Sequence, residues 1–160
     1  MKPGALTSQN ISIIPKPVSI NRTEGFFTIN NNSMILFNKA EIKTLAHYLQ
    51  KEIKTINGLT IASSFTNKKK TSKKTITLLI KNNKKDLGNE GYELLITKTN
   101  IILSAIKPAG LFYGIQTIKQ LLFESLKNHN DQHSIPCINI IDKPGFPWRG
   151  LMLDISRHFM

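Results

Sequence analysis

Two stretches of the chain repeat their apolar residues at helical spacing. Ile42, Leu45, Ala46, Leu49, Ile53 and Ile56 predict a helix over 39–56, with Asn38 as its N-cap and Gly58 as its C-terminal stop. Leu111, Ile115, Ile118 and Leu122 form one stripe and predict a second helix over 109–126. Shorter apolar runs predict strands at 11–14, 26–29, 34–37, 59–62, 75–80, 92–97, 101–105 and 135–141. The polar turn Lys98-Thr99-Asn100 between the sixth and seventh of these implies an antiparallel hairpin. Together they predict an α+β fold in which an antiparallel sheet carries two helices on one face, since that layering buries one side of every element.

The end of the chain has a different character. Leu151-Met152-Leu153-Asp154-Ile155 is almost continuously apolar, which fits a strand buried on both faces, as in a parallel barrel. Such a strand needs ladder partners on either side. The chain is therefore expected to continue into a second domain, with Met160 as a truncation point. The boundary is placed near Asp142-Lys143-Pro144-Gly145, where prolines at 144 and 147 bracket a glycine. Residues 1–143 then form an N-terminal accessory domain, and residues 144–160 begin a barrel that is otherwise missing.

Composition adds less. At 160 residues and 40% hydrophobic content, one ordinary core is expected. The formal charge of +12 comes from 22 basic against 10 acidic residues, but the basic residues are nearly all lysines. Their one dense patch, Lys68-Lys69-Lys70 with Lys73-Lys74, lacks the arginines and interleaved aromatics of nucleic-acid surfaces, so it reads as a solvated loop and no nucleic-acid partner is expected. Cys137 is the sole cysteine, which excludes an internal disulfide, and its apolar flanks mark it as a buried small side chain and not a nucleophile. No run is long enough to span a membrane, and residues 1–9 lack the apolar core of a signal peptide. The compartment is periplasmic or extracellular if a leader has been removed, and cytoplasmic otherwise.

The string Trp148-Arg149-Gly150-Leu151-Met152-Leu153-Asp154-Ile155-Ser156-Arg157-His158-Phe159 resembles the first barrel strand of glycoside hydrolase family 20, the β-N-acetylhexosaminidases. Upstream, Ile14-Pro15-Lys16-Pro17, Gly91-Tyr92-Glu93-Leu94 and Gly110-Leu111-Phe112-Tyr113-Gly114-Ile115-Gln116-Thr117 are similar to that family's accessory domain. One departure is Gly145, where the family usually has an arginine, and a changed contact at the base of the barrel is expected there. The resemblance implies a (β/α)8 barrel after residue 143 and a retaining exo-hydrolase acting on N-acetylhexosamine-terminated glycans or chitin oligosaccharides. It implies no cofactor.

In that family an Asp-Glu pair on a later strand supplies the general acid and orients the substrate's 2-acetamido group, whose carbonyl oxygen is the nucleophile. No adjacent Asp-Glu pair occurs in this chain, so no catalytic residue is assigned and the chain alone is expected to be inactive. Glu90 and Glu93 flank Gly91-Tyr92 and read as a solvated face. Barrel enzymes place their chemistry at the C-terminal ends of strands, and eight extended residues separate Arg149 from Arg157 by about 26 Å. Arg157 is thereby assigned to the mouth and Arg149 to the base. The resemblance gives Arg157 the task of holding sugar hydroxyls, to which a planar fork of donors is suited, while a structural ion pair with Asp154 or with a later carboxylate stands as the alternative. Asp154 is read as orienting Arg157 or a neighbouring loop. His158 is either a supporting residue in the same place or a packed structural imidazole. Trp148, at the base, is read as core packing and not as a sugar platform. No cluster has metal-ligand spacing. The rival reading of the whole chain is a non-catalytic module that binds glycan or protein.

Overall fold

The computed structural model describes residues 12–66, 74–82, 85–127, 133–146 and 148–150. Seven strands and two helices follow in the order β1 (Ser19–Thr28), β2 (Met34–Phe37), α1 (Lys43–Asn57), β3 (Ala62–Phe65), β4 (Thr75–Ile80), β5 (Tyr92–Ile96), β6 (Asn100–Ala105), α2 (Pro108–Ser125) and β7 (Ser134–Asp142), with 3₁₀ turns at Ala40–Ile42 and Lys85–Leu87. The strands form one sheet in the order β1-β7-β5-β6-β4-β2-β3.

The α+β class stands, with a sheet that is mixed. β1, β7, β5 and β6 pair antiparallel, whereas β6 with β4, β4 with β2, and β2 with β3 pair parallel. The physical reason is connectivity. A strand, a helix and a second strand in succession return the chain in its original direction, so β2-α1-β3 closes a parallel pair. β6-α2-β7 does the same with β5 inserted between its strands. The hairpin expected at Lys98-Thr99-Asn100 forms between β5 and β6, where Thr97 N–H donates to the Asn100 carbonyl at 2.9 Å.

Both helices cover the same face of the sheet. Tyr48 of α1 stacks on Phe112 of α2 with ring centroids 5.9 Å apart, and Lys119 of α2 reaches Glu52 of α1 at 3.0 Å. Beneath them the cross-strand neighbours Ile35, Ile76 and Ile101 form one row, and Phe37, Leu78, Leu103 and Leu94 form the next. All seven are buried, as are Ile42, Ala46, Leu49 and Ile53 of the first predicted stripe and Leu111, Ile115, Ile118 and Leu122 of the second. Each such Ile or Leu contributes about 1.5–3 kcal/mol by leaving water. Gly58 ends α1 as expected, with φ at +72° and its N–H on the Lys54 carbonyl at 2.9 Å.

Three expectations change. Asn38 does not cap α1, because a 3₁₀ turn intervenes and the helix begins at Lys43. Instead its side-chain amide extends the ladder between β2 and β4: Nδ2 donates to the Ile80 carbonyl at 3.1 Å and Oδ1 accepts from the Ile80 N–H at 3.0 Å. No strand forms over the described part of 11–14. There Ile13 is buried, while Ile14 is exposed and exchanges two 2.8 Å bonds with the Gln120 side chain of α2. The strand expected at 59–62 starts at Ala62, with Leu59 and Ile61 packing on the core from the preceding loop.

Candidate functional site

Arg157, Asp154 and His158, the residues assigned to substrate and its support, lie outside the described residues, as does the apolar run 151–155. What the structure describes is the ground from which that run departs. It begins at a glycine-lined junction. Gly110 opens α2 against Gly91, where an added Cβ would lie 2.2 Å from the Gly91 carbonyl oxygen. One turn later Gly114 rides directly on Leu103 of β6, where an added Cβ would lie 2.2 Å from Leu103 Cδ1. Gly91 itself fits between the carbonyl oxygens of Leu87 and Asp142. Residues without side chains let the helix approach β5 and β6 at backbone distance.

Beside these glycines Tyr92, 2% exposed, hydrogen-bonds through its hydroxyl to Thr117 Oγ1 at 2.6 Å. Burial is the main cause that pushes its pKa up to about 12, with the Asp142 carboxylate adding in the same direction and the Thr117 bond opposing. The segments that carried the family resemblance, Gly91-Tyr92 and Gly110 to Thr117, thus meet in one packing joint. Their chemistry is close approach and a satisfied phenol.

Asp142, the last residue of β7, is paired with Tyr92 across the sheet and organises the exit of the chain. Its Oδ1 accepts the Lys143 N–H at 2.9 Å and the Val18 N–H at 3.3 Å, tying the way out to the way in. Lys143 Nζ donates to the Asp86 carbonyl at 3.2 Å, and the Arg149 guanidinium donates to the Glu90 carboxylate. A cleft of about 520 Å³ lies between loop 86–90 and Lys143-Pro144-Gly145. A second and shallower one, about 380 Å³, opens at the C-terminal ends of β2 and β3, where Lys43 and His47 face Ser63 and Ser64 and no carboxylate joins them. The first cleft is lined by two carboxylate residues, Asp86 and Glu90, of which Glu90 is paired with Arg149.

Trp148 is 85% exposed among the described residues, and the barrel base against which its packing is expected lies outside them. Glu90, expected on a solvated face, is partly exposed and holds Arg149. Sequence reading missed that pair because 59 positions separate its members. The available signal was Asp-Lys-Pro closing a strand, since aspartate accepts from nearby backbone N–H groups where a strand ends. Cys137 is buried as expected, and burial pushes its thiol up, away from the reactive thiolate.

Comparison with known proteins now places the chain. Residues 10–143 match the family model described as glycosyl hydrolase family 20, domain 2. A beta-hexosaminidase of Porphyromonas gingivalis is 28% identical over 155 residues, which cover 95% of this chain and 20% of that protein. The solved N-acetyl-beta-hexosaminidase of Streptomyces plicatus is 27% identical with a TM-score of 0.74, over 92% of this chain and 29% of that one. An exo beta-N-acetylglucosaminidase of Vibrio harveyi, at 24% identity, shares the fold with a TM-score of 0.70. The chain spans less than a third of the length of each of these relatives. It belongs to glycosyl hydrolase family 20, and what is folded here corresponds to that family's domain 2.

Proposed function

We propose that this chain is the N-terminal part of a retaining exo-β-N-acetylhexosaminidase, with residues 1–143 as an accessory domain and residues 144–160 opening the catalytic barrel. The observation that carries the reading is the match of residues 10–143 to domain 2 of a hydrolase family, in a chain that covers a fifth of a hexosaminidase relative. The substrates are glycans or chitin oligosaccharides ending in N-acetylglucosamine or N-acetylgalactosamine. Hydrolysis is assisted by the substrate's own acetamide, with the acid and the acetamide-orienting carboxylate supplied by the barrel. Arg157, at the mouth end of the first barrel strand, binds sugar hydroxyls, and Asp154 and His158 support it.

The packing joint at Gly91, Tyr92, Gly110 and Gly114 supports a structural role for the accessory domain, because its motif residues are consumed in holding α2 to the sheet. The test is hydrolysis of an aryl N-acetyl-β-glucosaminide by the purified chain and by the full-length protein. Turnover is expected only with the latter. Turnover by the 160-residue chain above a buffer blank overturns the assignment of the chemistry to the barrel, and an inactive, folded full-length protein overturns the activity.

A further inference from the structure

The segment leaving β7 is tethered by polar bonds but displays its apolar side chains to solvent. Asp142 Oδ1 holds Lys143 and Val18, Lys143 Nζ holds the Asp86 carbonyl, and Glu90 holds Arg149. Pro144 restricts the backbone between these points. Phe146 and Trp148 nevertheless stand 74% and 85% exposed, with Val18 at 64% beside the same aspartate. Apolar side chains held out by anchored backbone mark a surface built to be covered. The family-model match ends at residue 143, where this segment begins, and the chain accounts for only a fifth of a full-length relative.

We propose that loop 86–90 is an interdomain latch, in which Glu90 grips Arg149 so that Phe146 and Trp148 form a preset seat for the rest of the barrel that this segment opens in the full-length polypeptide. This rests on the reading above that such a barrel follows. Free rotation of the linker would have to be frozen each time the two domains met. A linker held in place beforehand avoids that cost, and a guanidinium fork on a carboxylate fixes orientation as well as position.

Trp148 is the only tryptophan, so its fluorescence reports on the segment directly. In the 160-residue chain, Glu90→Gln is expected to raise the amplitude of the nanosecond component of Trp148 anisotropy decay about twofold. The charge swap Glu90→Arg/Arg149→Glu should restore the wild-type decay, with the thermal midpoint of every variant within a few degrees of wild type. An unchanged decay in Glu90→Gln, or a swap that stays as mobile as Glu90→Gln, overturns the latch. For the seat, amide exchange over 143–150 should be slower in the full-length protein than in the 160-residue chain, and equal exchange overturns it. Neither measurement reads hydrolysis. An active full-length protein with an unprotected segment would therefore sink this proposal alone, and an inactive one with a protected segment would sink only the proposed activity.

Discussion

At the scale of single residues, glycines and one tyrosine hold the packing joint, and each makes a separable claim. Gly114→Ala places a methyl 2.2 Å from Leu103 Cδ1, so α2 or the leucine must shift. Overpacking of this kind costs about 1–3 kcal/mol, against about 1 kcal/mol gained from alanine's better helix propensity. A net loss is expected, read as a fall in the urea midpoint, whereas Gly145→Ala, with nothing within 4 Å of the new Cβ, should leave the midpoint unmoved. Tyr92 adds a pH dependence. Its pKa is about 12 folded against 10.0 for the free phenol, so between these values the folded state keeps a proton that the unfolded state releases. The contribution is fully present below pH 10 and is lost as pH rises through about 12, a total of about 2–3 kcal/mol. Tyr92→Phe should flatten that part of the alkaline decline in stability, measured by denaturant unfolding from pH 9 to 12. An equally steep decline in the variant would show that Tyr92 does not titrate out of its buried site.

At the scale of elements, both helices and the β5–β6 hairpin were legible because their signals are local: a 3.6-residue stripe, a glycine stop, a polar turn. Strand direction was less legible. The order of strand, helix and strand around α1 did carry the parallel signal, but reading each apolar run by itself concealed it. β1 was half hidden for another reason. As an edge strand with a polar first half and a register shift at Gly25, it shows no apolar run before Phe26. The Pro144–Met160 segment tests the element boundary. Its only described side-chain tie to the rest of the fold is the half-exposed pair of Arg149 with Glu90, worth about 0–1 kcal/mol. Removing residues 144–160 should lower the thermal midpoint by no more than about 2–4 °C. The same deletion should raise solubility by taking away the apolar run 151–155. A midpoint that fell by many degrees would move the boundary into the removed segment.

At the scale of the whole molecule, the proposed site is present in the sequence only as a string of letters. Trp148 to Phe159 resembled a barrel strand, but what makes such a strand a site is the ring of neighbours that receives it, and no local pattern encodes them. In the full-length protein the two arginines make the sharpest test of the proposed orientation. Arg157 at the mouth would share its fork between two sugar hydroxyls, and charge-assisted bonds of this kind are each worth about 1.5–3 kcal/mol. Arg157→Lys keeps the charge and loses the fork, so kcat/KM on an aryl N-acetyl-β-glucosaminide should fall by about tenfold or more. Arg149 grips Glu90 across the domain exit. Arg149→Lys retains that attraction in weakened form and should affect the thermal midpoint and the mobility of Trp148 more than turnover. The two variants therefore separate substrate binding from linker geometry within one strand's reach. Kinetics on folded variants in which Arg149→Lys damaged turnover and Arg157→Lys was silent would reverse the strand's proposed direction and remove Arg157 from the mouth of the barrel.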